Sequence, residues 1–256
     1  MKKIIFIAII VTLMLYRPAD ATAADERLDF VKQKLLDANI EQKKIDELFS
    51  DSRFRLLPAV SVSYKKPDWA LIRKKLYARK SLQKGWDYIQ ANKETFDAAE
   101  RTYGVPKEII AGIIAIETDF GANVGRYSIF NALYSRLEQR PKETWRGPAL
   151  ELVALSKYCL SLKLDCYSIH GSYAGAWGLV QFMPSSVMAY GVDGDGDGIK
   201  HMLNPADAIP SAANFLVKHG WPGKKVKALT NYYGSSVGYP EIVLRYSMLL
   251  KKFKPK

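Results

Sequence analysis

The sequence predicts a mainly α-helical fold, and three observations predict it. Apolar residues recur at three- and four-residue spacings along most of the 256 residues, the period of an amphipathic helix. Alternation of the strand type is confined to one short stretch. Prolines and glycines mostly fall between the periodic segments, where they end helices and open turns. There is no internal repeat, low-complexity tract or long linker.

The first element is a leader. Lys2 and Lys3 precede an apolar run over residues 4–16, and "ADATAAD" follows. A charged start, an apolar stretch and small residues around a cleavage point, here Ala21 and Ala23, form the pattern of an export signal. The alternative, a membrane anchor, is opposed by the shortness of the run. No cysteine follows it to carry a lipid, and no later stretch is long and apolar enough to span a bilayer. The expected product is soluble, exported and periplasmic. Cleavage after residue 23 removes three cations and one anion, so the formal charge falls from +12 to +10. Such an excess attracts an anionic partner — nucleic acid, lipid headgroups or a wall polymer — or merely keeps the chain in solution. About 230 residues remain, enough for one large core or two smaller units.

From residue 25 to 49, Phe30, Leu35, Leu36, Ile40, Ile45 and Leu48 stand at helical spacings, and "ANIEQKK" splits the segment into two helices. "LLPAVSVSYKKPDW" holds the alternating stretch and two prolines, so it reads as an extended connection or small strand. Residues 71–102 are helical again, with Leu76, Leu82, Trp86, Ile89, Phe96 and Ala99 as a buried stripe. Pro106 suits the first turn of the next helix, which runs through eight apolar residues, 109–116, to Glu117. The chain loosens after Gly121, and a further helix covers about 147–162. "GSYAGAWGLVQFMP", residues 171–184, is rich in glycine, alanine and aromatics, and its glycines permit close approach of backbone or ligand. "SSVMAYG" makes a short helix after Pro184, "NPADAIPSAANFLVKHGW" an amphipathic one kinked at Pro210, and residues 239–252 the last. Cys159 and Cys166, seven apart, are expected to close a small disulfide loop in an oxidising compartment, unless both lie on one helix and diverge.

Three constellations carry chemistry. Glu117 ends an apolar helix, where desolvation raises a carboxyl pKa towards neutrality and suits it to general acid work. The other reading is a helix-end carboxylate paired with Arg126 or a lysine. "DGDGDGIKHMLNPAD" places Asp193, Asp195 and Asp197 at loop positions one, three and five of an EF-hand, with Gly198 at the turn and the Ile199 carbonyl at seven. Position twelve is Asn204, not Glu; a carboxylate returns at Asp207, three residues later, and is expected to close a lengthened loop. All-oxygen ligands favour a structural calcium ion, against the alternative of a solvated acidic turn. Third, Tyr173, Trp177, Phe182, Tyr190, Trp221, Tyr232, Tyr233 and Tyr239 crowd the C-terminal half. Amphipathic aromatics suit the flat C–H faces of sugars as well as a core, and Ser172 and Gln181 are polar groups in the same neighbourhood. His170, His201 and His219 share no metal-ligand spacing, and no G-x-S-x-G elbow or phosphate-binding loop occurs. Serine hydrolases, nucleotide enzymes and organic cofactors therefore lose support.

Taken in order, "YGVPKEIIAGIIAIETDFG", "GSYAGAWGLVQFMPSS", the aspartate loop and "NPADAIPSAANFLVKHGW" resemble the lytic murein transglycosylases of the membrane-bound lytic transglycosylase B type. The resemblance is strongest over residues 103–221, and "SLQKGWDYIQANKETFDAAERTYGVP" extends it upstream. It implies a lysozyme-like catalytic core over 103–256, with an EF-hand-like loop at 193–207, after a signal peptide at 1–23 and a helical N-terminal region at 24–102. The implied activity is cleavage of the β-1,4 bond between N-acetylmuramic acid and N-acetylglucosamine in peptidoglycan, leaving 1,6-anhydromuramoyl ends. Glu117, the Glu of E-T-x-x-G, becomes the sole acid and base. Ser172, Tyr173, Gln181, Phe182, Tyr232, Tyr233 and Tyr239 become substrate-binding, and Asp193, Asp195, Asp197, Ile199 and Asp207 hold calcium. The implied partner is the glycan strand, met by a monomer, and not nucleic acid. One departure stands out: by the resemblance Tyr233 stands where the family's substrate-holding Asn of R-Y-N is expected, here "TNYYG", and Asn231 substitutes for it only if the register shifts. A hydrolytic muramidase and a non-catalytic wall-binding protein are the competing expectations. If the Glu117 helix ends early, Asp119 comes closer and hydrolysis gains support.

Overall fold

A computed structural model of the chain describes residues 19–58, 67–234 and 238–255, with side chains described from residue 26. Most of the predicted leader, and residues 59–66 of the expected extended connection, lie outside the described residues. The rest is helical. The N-terminal segment forms α1 (Ala19–Asp37) and α2 (Gln42–Ser50), parted within "ANIEQKK" as the sequence predicts. Residues 71–102 divide into α3 (Trp69–Leu76), α4 (Arg79–Ala91) and α5 (Lys93–Tyr103). The first break comes at Tyr77 and Ala78, the second at Asn92, whose φ of −119° leaves the helical region. The predicted stripe is buried at Leu76, Leu82, Ile89, Phe96 and Ala99, while Trp86 is half-buried against it.

At the centre lies α6 (Lys107–Thr118), with Pro106 at its N-cap rather than inside its first turn. Every residue from Ile109 to Ala115 is buried, so this helix is apolar all round, as a core helix must be. Each fully buried isoleucine contributes about 1.5–3 kcal/mol by removal from water. Around it pack α4, α5, α10 (Pro205–Lys218) and α12 (Tyr239–Lys252). Gly112 allows α12 close: a Cβ there would stand 3.2 Å from the Tyr246 ring.

A second layer holds α7 (Ile129–Gln139), α8 (Arg146–Leu162) and α9 (Pro184–Tyr190), with α1 across α7 and α8. The sequence reading passed over α7 and also over α11 (Lys225–Tyr233). The spacing of Ile129, Phe130, Leu133 and Leu137, all fully buried, carried the signal for α7. Arg27 of α1 donates to the carbonyls of Leu137, Glu138 and Arg140 at 2.8–3.0 Å, filling the acceptors a helix end leaves open. The chain over 53–57 is tied to α7 too. Asn131 bonds to the backbone of Arg53 and Arg55, and Ser135 accepts from the Leu57 N–H at 2.7 Å.

Strand structure among the described residues is limited to β1 (Tyr127–Ser128) and β2 (His170–Gly171), an antiparallel pair with Tyr127 opposite Gly171. The expected disulfide is not formed: Cys159 and Cys166 are free and buried. Cys159 lies in α8 and Cys166 in the turn beyond its end. Their contact and their burial push the Cys166 thiol well above its usual range.

The β1–β2 approach depends on Gly125. Its φ is +91°, and a Cβ there would lie 2.1 Å from the Gly171 carbonyl carbon and 2.5 Å from the Ser172 nitrogen. Gly125→Ala is therefore expected to cost about 1–3 kcal/mol in a denaturant titration. Gly147→Ala, in α8 with nothing near its added methyl, is expected to be neutral or stabilising by up to about 1 kcal/mol.

Candidate active site

The burial of α6 sets the chemistry at its end. Glu117 occupies the last turn, partly exposed, beside the fully enclosed Thr118. Burial of the carboxyl pushes its pKa up to about 7, opposed by the Tyr239 hydroxyl, which donates to Oε1 at 2.8 Å. Among the described residues neither Arg126 nor a lysine is its hydrogen-bond partner; a neutral phenol is. A carboxyl in this setting exists in both protonation states near neutral pH, as a group that first gives and then takes a proton must.

The turn after Glu117 is held hard. Thr118 donates to the carbonyls of Ile114 and Leu179, and its Oγ1 accepts from the Gly121 N–H. Asp119 closes α6 in the left-handed region at φ +49°. Its carboxylate meets Lys84 Nζ at 2.9 Å and is 62% exposed, which directs it to solvent and a cation and away from the acid. The helix does not end early enough to bring a second carboxylate to Glu117.

Tyrosines from the C-terminal helices face the acid. Tyr239, at the start of α12, is fully buried; the Tyr233 ring stacks on it at 4.7 Å and 18°, and Tyr232 lies near-parallel at 6.3 Å. Burial and the Glu117 charge raise the pKa of all three phenols, so they stay neutral donors. Tyr232 donates to the Val180 carbonyl at 2.9 Å, which ties α11 to the glycine-rich loop. Trp69, from α3, packs edge-on against Tyr233 at 5.6 Å. Trp69 and Thr118 are not among the predicted site residues; the signal for Trp69 is an aromatic two residues after Pro67, and for Thr118 its place in E-T-x-x-G.

The remaining predicted residues scatter. Gln181, at φ +49°, donates to the carbonyls of Gly178 and Val124, stitching the loop to the chain beyond α6. Ser172 Oγ accepts from the Ala176 N–H at 3.1 Å. Phe182 is buried behind Tyr232 and Phe215, so it backs the tyrosine wall and belongs to the core. Tyr173 is held at the β1 side by Gln139 at 2.9 Å and by the Tyr127 ring. A separate cavity of about 260 Å³, bounded by Tyr158, Leu164, Trp177 and Met202, takes in none of the three site tyrosines.

The aspartate loop forms a compact turn. Carboxylate oxygens of Asp193, Asp195 and Asp197 lie within 4.8 Å of one another, and Gly196 and Gly198 take φ of +76° and +88°. The like charges are met by backbone N–H groups of Gly196, Asp197, Gly198 and Ile199 and by the Asn204 amide, with no side-chain cation among the described residues. Such a donor set fits a hard divalent cation. Asp207 stands apart from this trio. Fully buried at the start of α10, it accepts from the Gly194 and His201 N–H groups at 2.8 and 2.7 Å, so it closes the loop through hydrogen bonds.

A lysozyme-like helical fold with one buried carboxyl at the end of its central helix is the class these features define. The chain belongs to the Transglycosylase SLT domain family, whose pattern matches residues 23–232. It is 33% identical over 226 residues to the membrane-bound lytic murein transglycosylase B of Escherichia coli K12, covering 82% of this chain. It spans 61% of the length of that relative. The fold is shared with the E. coli lytic transglycosylase SLT35 in its calcium complex (TM-score 0.78, 23% identity, 88% of this chain and 93% of that one). It is shared as well with the soluble lytic transglycosylase SltB1 of Pseudomonas aeruginosa (TM-score 0.76, 26% identity, 89% and 98%).

The raised pKa makes Glu117 a stability liability with a defined sign. The unfolded carboxyl ionises near 4.5 and the folded one near 7, so stability is lost as pH rises through that window. Glu117→Gln, which cannot ionise, is expected to match the parent at pH 4 and to exceed it by about 3 kcal/mol at pH 8. Parallel chemical denaturation at the two pH values measures the difference.

Proposed function

We propose that the chain is a peptidoglycan lytic transglycosylase that cleaves the MurNAc-β-1,4-GlcNAc bond with Glu117 as acid and then base. The observation that carries this reading is a carboxyl held near pKa 7 by burial and hydrogen-bonded, among the described residues, to a phenol, with Asp119 turned away to Lys84. Glycosidases that hydrolyse by the usual routes need two carboxylates flanking the bond. A one-carboxyl site needs a nucleophile from the substrate itself.

The muramoyl C6 hydroxyl supplies it. Glu117 gives its proton to the glycosidic oxygen as the C1–O bond breaks and the GlcNAc end leaves as an alcohol. The resulting carboxylate takes the proton of the C6 hydroxyl while that oxygen bonds to C1. Glu117 ends as it began, protonated, and no water is consumed. Tyr239 holds the carboxyl in place and donates to it throughout. Tyr232 and Tyr233 offer ring faces to the sugars, and Tyr233, where the related enzymes carry an Asn, exchanges an amide donor for a stacking surface. Export to the periplasm suits this substrate, and no described helix is long and apolar enough to cross a membrane.

Asp193, Asp195 and Asp197 would hold a calcium ion. When bound it would neutralise their mutual repulsion and brace the start of α10, with no part in bond cleavage. The calcium complex of SLT35 supports this assignment.

Digestion of purified peptidoglycan followed by mass spectrometry tests the reaction. Anhydromuramoyl ends are expected from the parent, with a rate about 100- to 10,000-fold lower for Glu117→Gln. Reducing ends in their place would establish hydrolysis. For the loop, a thermal melt is expected to rise on adding calcium to the chelator-treated protein, by about 2.7 kcal/mol of stability at a hundredfold excess over Kd. The rise should vanish in Asp195→Ala.

A further inference from the structure

Two segments of the chain hold cations without acidic residues among them. Residues 69–84 carry Arg73, Lys74, Lys75, Arg79, Lys80 and Lys84 and no acidic residue; residues 242–254 carry Arg245, Lys251, Lys252 and Lys254 and none either. These ten cations equal the whole net charge left after removal of the leader.

The fold sets the two segments side by side. Arg73 reaches Glu241 at 3.7 Å, Tyr77 feels the charges of Glu241 and Arg245, and Arg79 donates to the Lys254 carbonyl at 3.2 Å while lying over the Phe253 ring. The seam of α3 and α4 therefore follows α12 from its first turn to beyond its last. Only Arg73 and Lys84 have a carboxylate within ion-pair distance among the described residues. The other eight cations are exposed and unpaired there.

Two large apolar side chains stand among them. Leu71 is 47% exposed and shares a helix face with Lys74 and Lys75; Met248 is 51% exposed, between Arg245 and Lys252 on the outer stripe of α12. A soluble polyanion would need the cations alone. Cations around projecting apolar tips match a bilayer surface, where phosphates lie outside and acyl chains within reach.

We propose that the face formed by α3, the start of α4 and α12 docks on a membrane surface bearing anionic phospholipid headgroups. Lys74, Lys75, Arg79, Lys80, Lys251 and Lys252 would meet phosphates, and Leu71 and Met248 would enter the interface. This binding is independent of the reaction at Glu117.

Sedimentation of the purified protein with phosphatidylglycerol-containing vesicles, against pure phosphatidylcholine vesicles, tests it. Binding to the first and not the second is expected, weakening with salt. Each cation contributes about fivefold in affinity, so the combined Lys74→Gln, Lys75→Gln, Lys251→Gln, Lys252→Gln variant should bind at least about 100-fold more weakly. Leu71→Ser with Met248→Ser should also weaken binding and leave the salt dependence in place. Both variants alter exposed side chains, and an unchanged thermal melt confirms that they fold. No binding to anionic vesicles, undiminished binding by the quadruple variant, or charge-dependent capture by isolated peptidoglycan alone would each overturn the proposal.

Discussion

The desolvation of one carboxyl organises the molecule. A helix that is buried on every side can end in a carboxyl only if that group is neutral or bound, and Glu117 is held by a phenol while burial of its carboxyl disfavours the charged form. The same burial that stabilises α6 raises the pKa of Glu117. Stability and chemistry are set against each other at one side chain, as is usual where an ionisable group is tuned by its surroundings.

That tuning needs walls, and three separate parts of the chain supply them. The α12 helix brings Tyr239 to the carboxyl, α11 brings Tyr232 and Tyr233, and the glycine-rich loop is pinned between Thr118 and Tyr232 through the carbonyls of Leu179 and Val180. The bonds are to backbone carbonyls, so the loop is positioned by its main chain, and its glycines are there to permit that approach. Gly178 shows the need: a Cβ there would stand 2.2 Å from Met202.

The aspartate loop and the basic face give the molecule two regions of opposite charge. In the loop, buried Asp207 joins the turn to α10 through the N–H groups of Gly194 and His201, a mechanical role apart from that of the three loop aspartates. On the basic face only Arg73 and Lys84 meet a carboxylate among the described residues, and the other cations stand open to solvent.

Much of this was legible from the residues. The helical period revealed the fold class, the core helix and the last helix, because a 3.6-residue repeat reports burial of one face wherever that face is long enough. The run from 109 to 116 ending in Glu117 announced a carboxyl out of water, and the aspartate spacing announced a loop of oxygen donors. Helix α11 buries only Ala228 and Leu229 and so carries little period, whereas α7 shows one at Ile129, Phe130, Leu133 and Leu137. What only the tertiary structure decided were contacts between segments far apart in the chain. That Tyr239 and not Arg126 would meet Glu117, that Asp119 would turn to Lys84, that Phe182 would sink behind Tyr232, and that Asp207 would bond to backbone depended on how helices pack. Periodicity tells which face of a helix is buried; it does not tell against what.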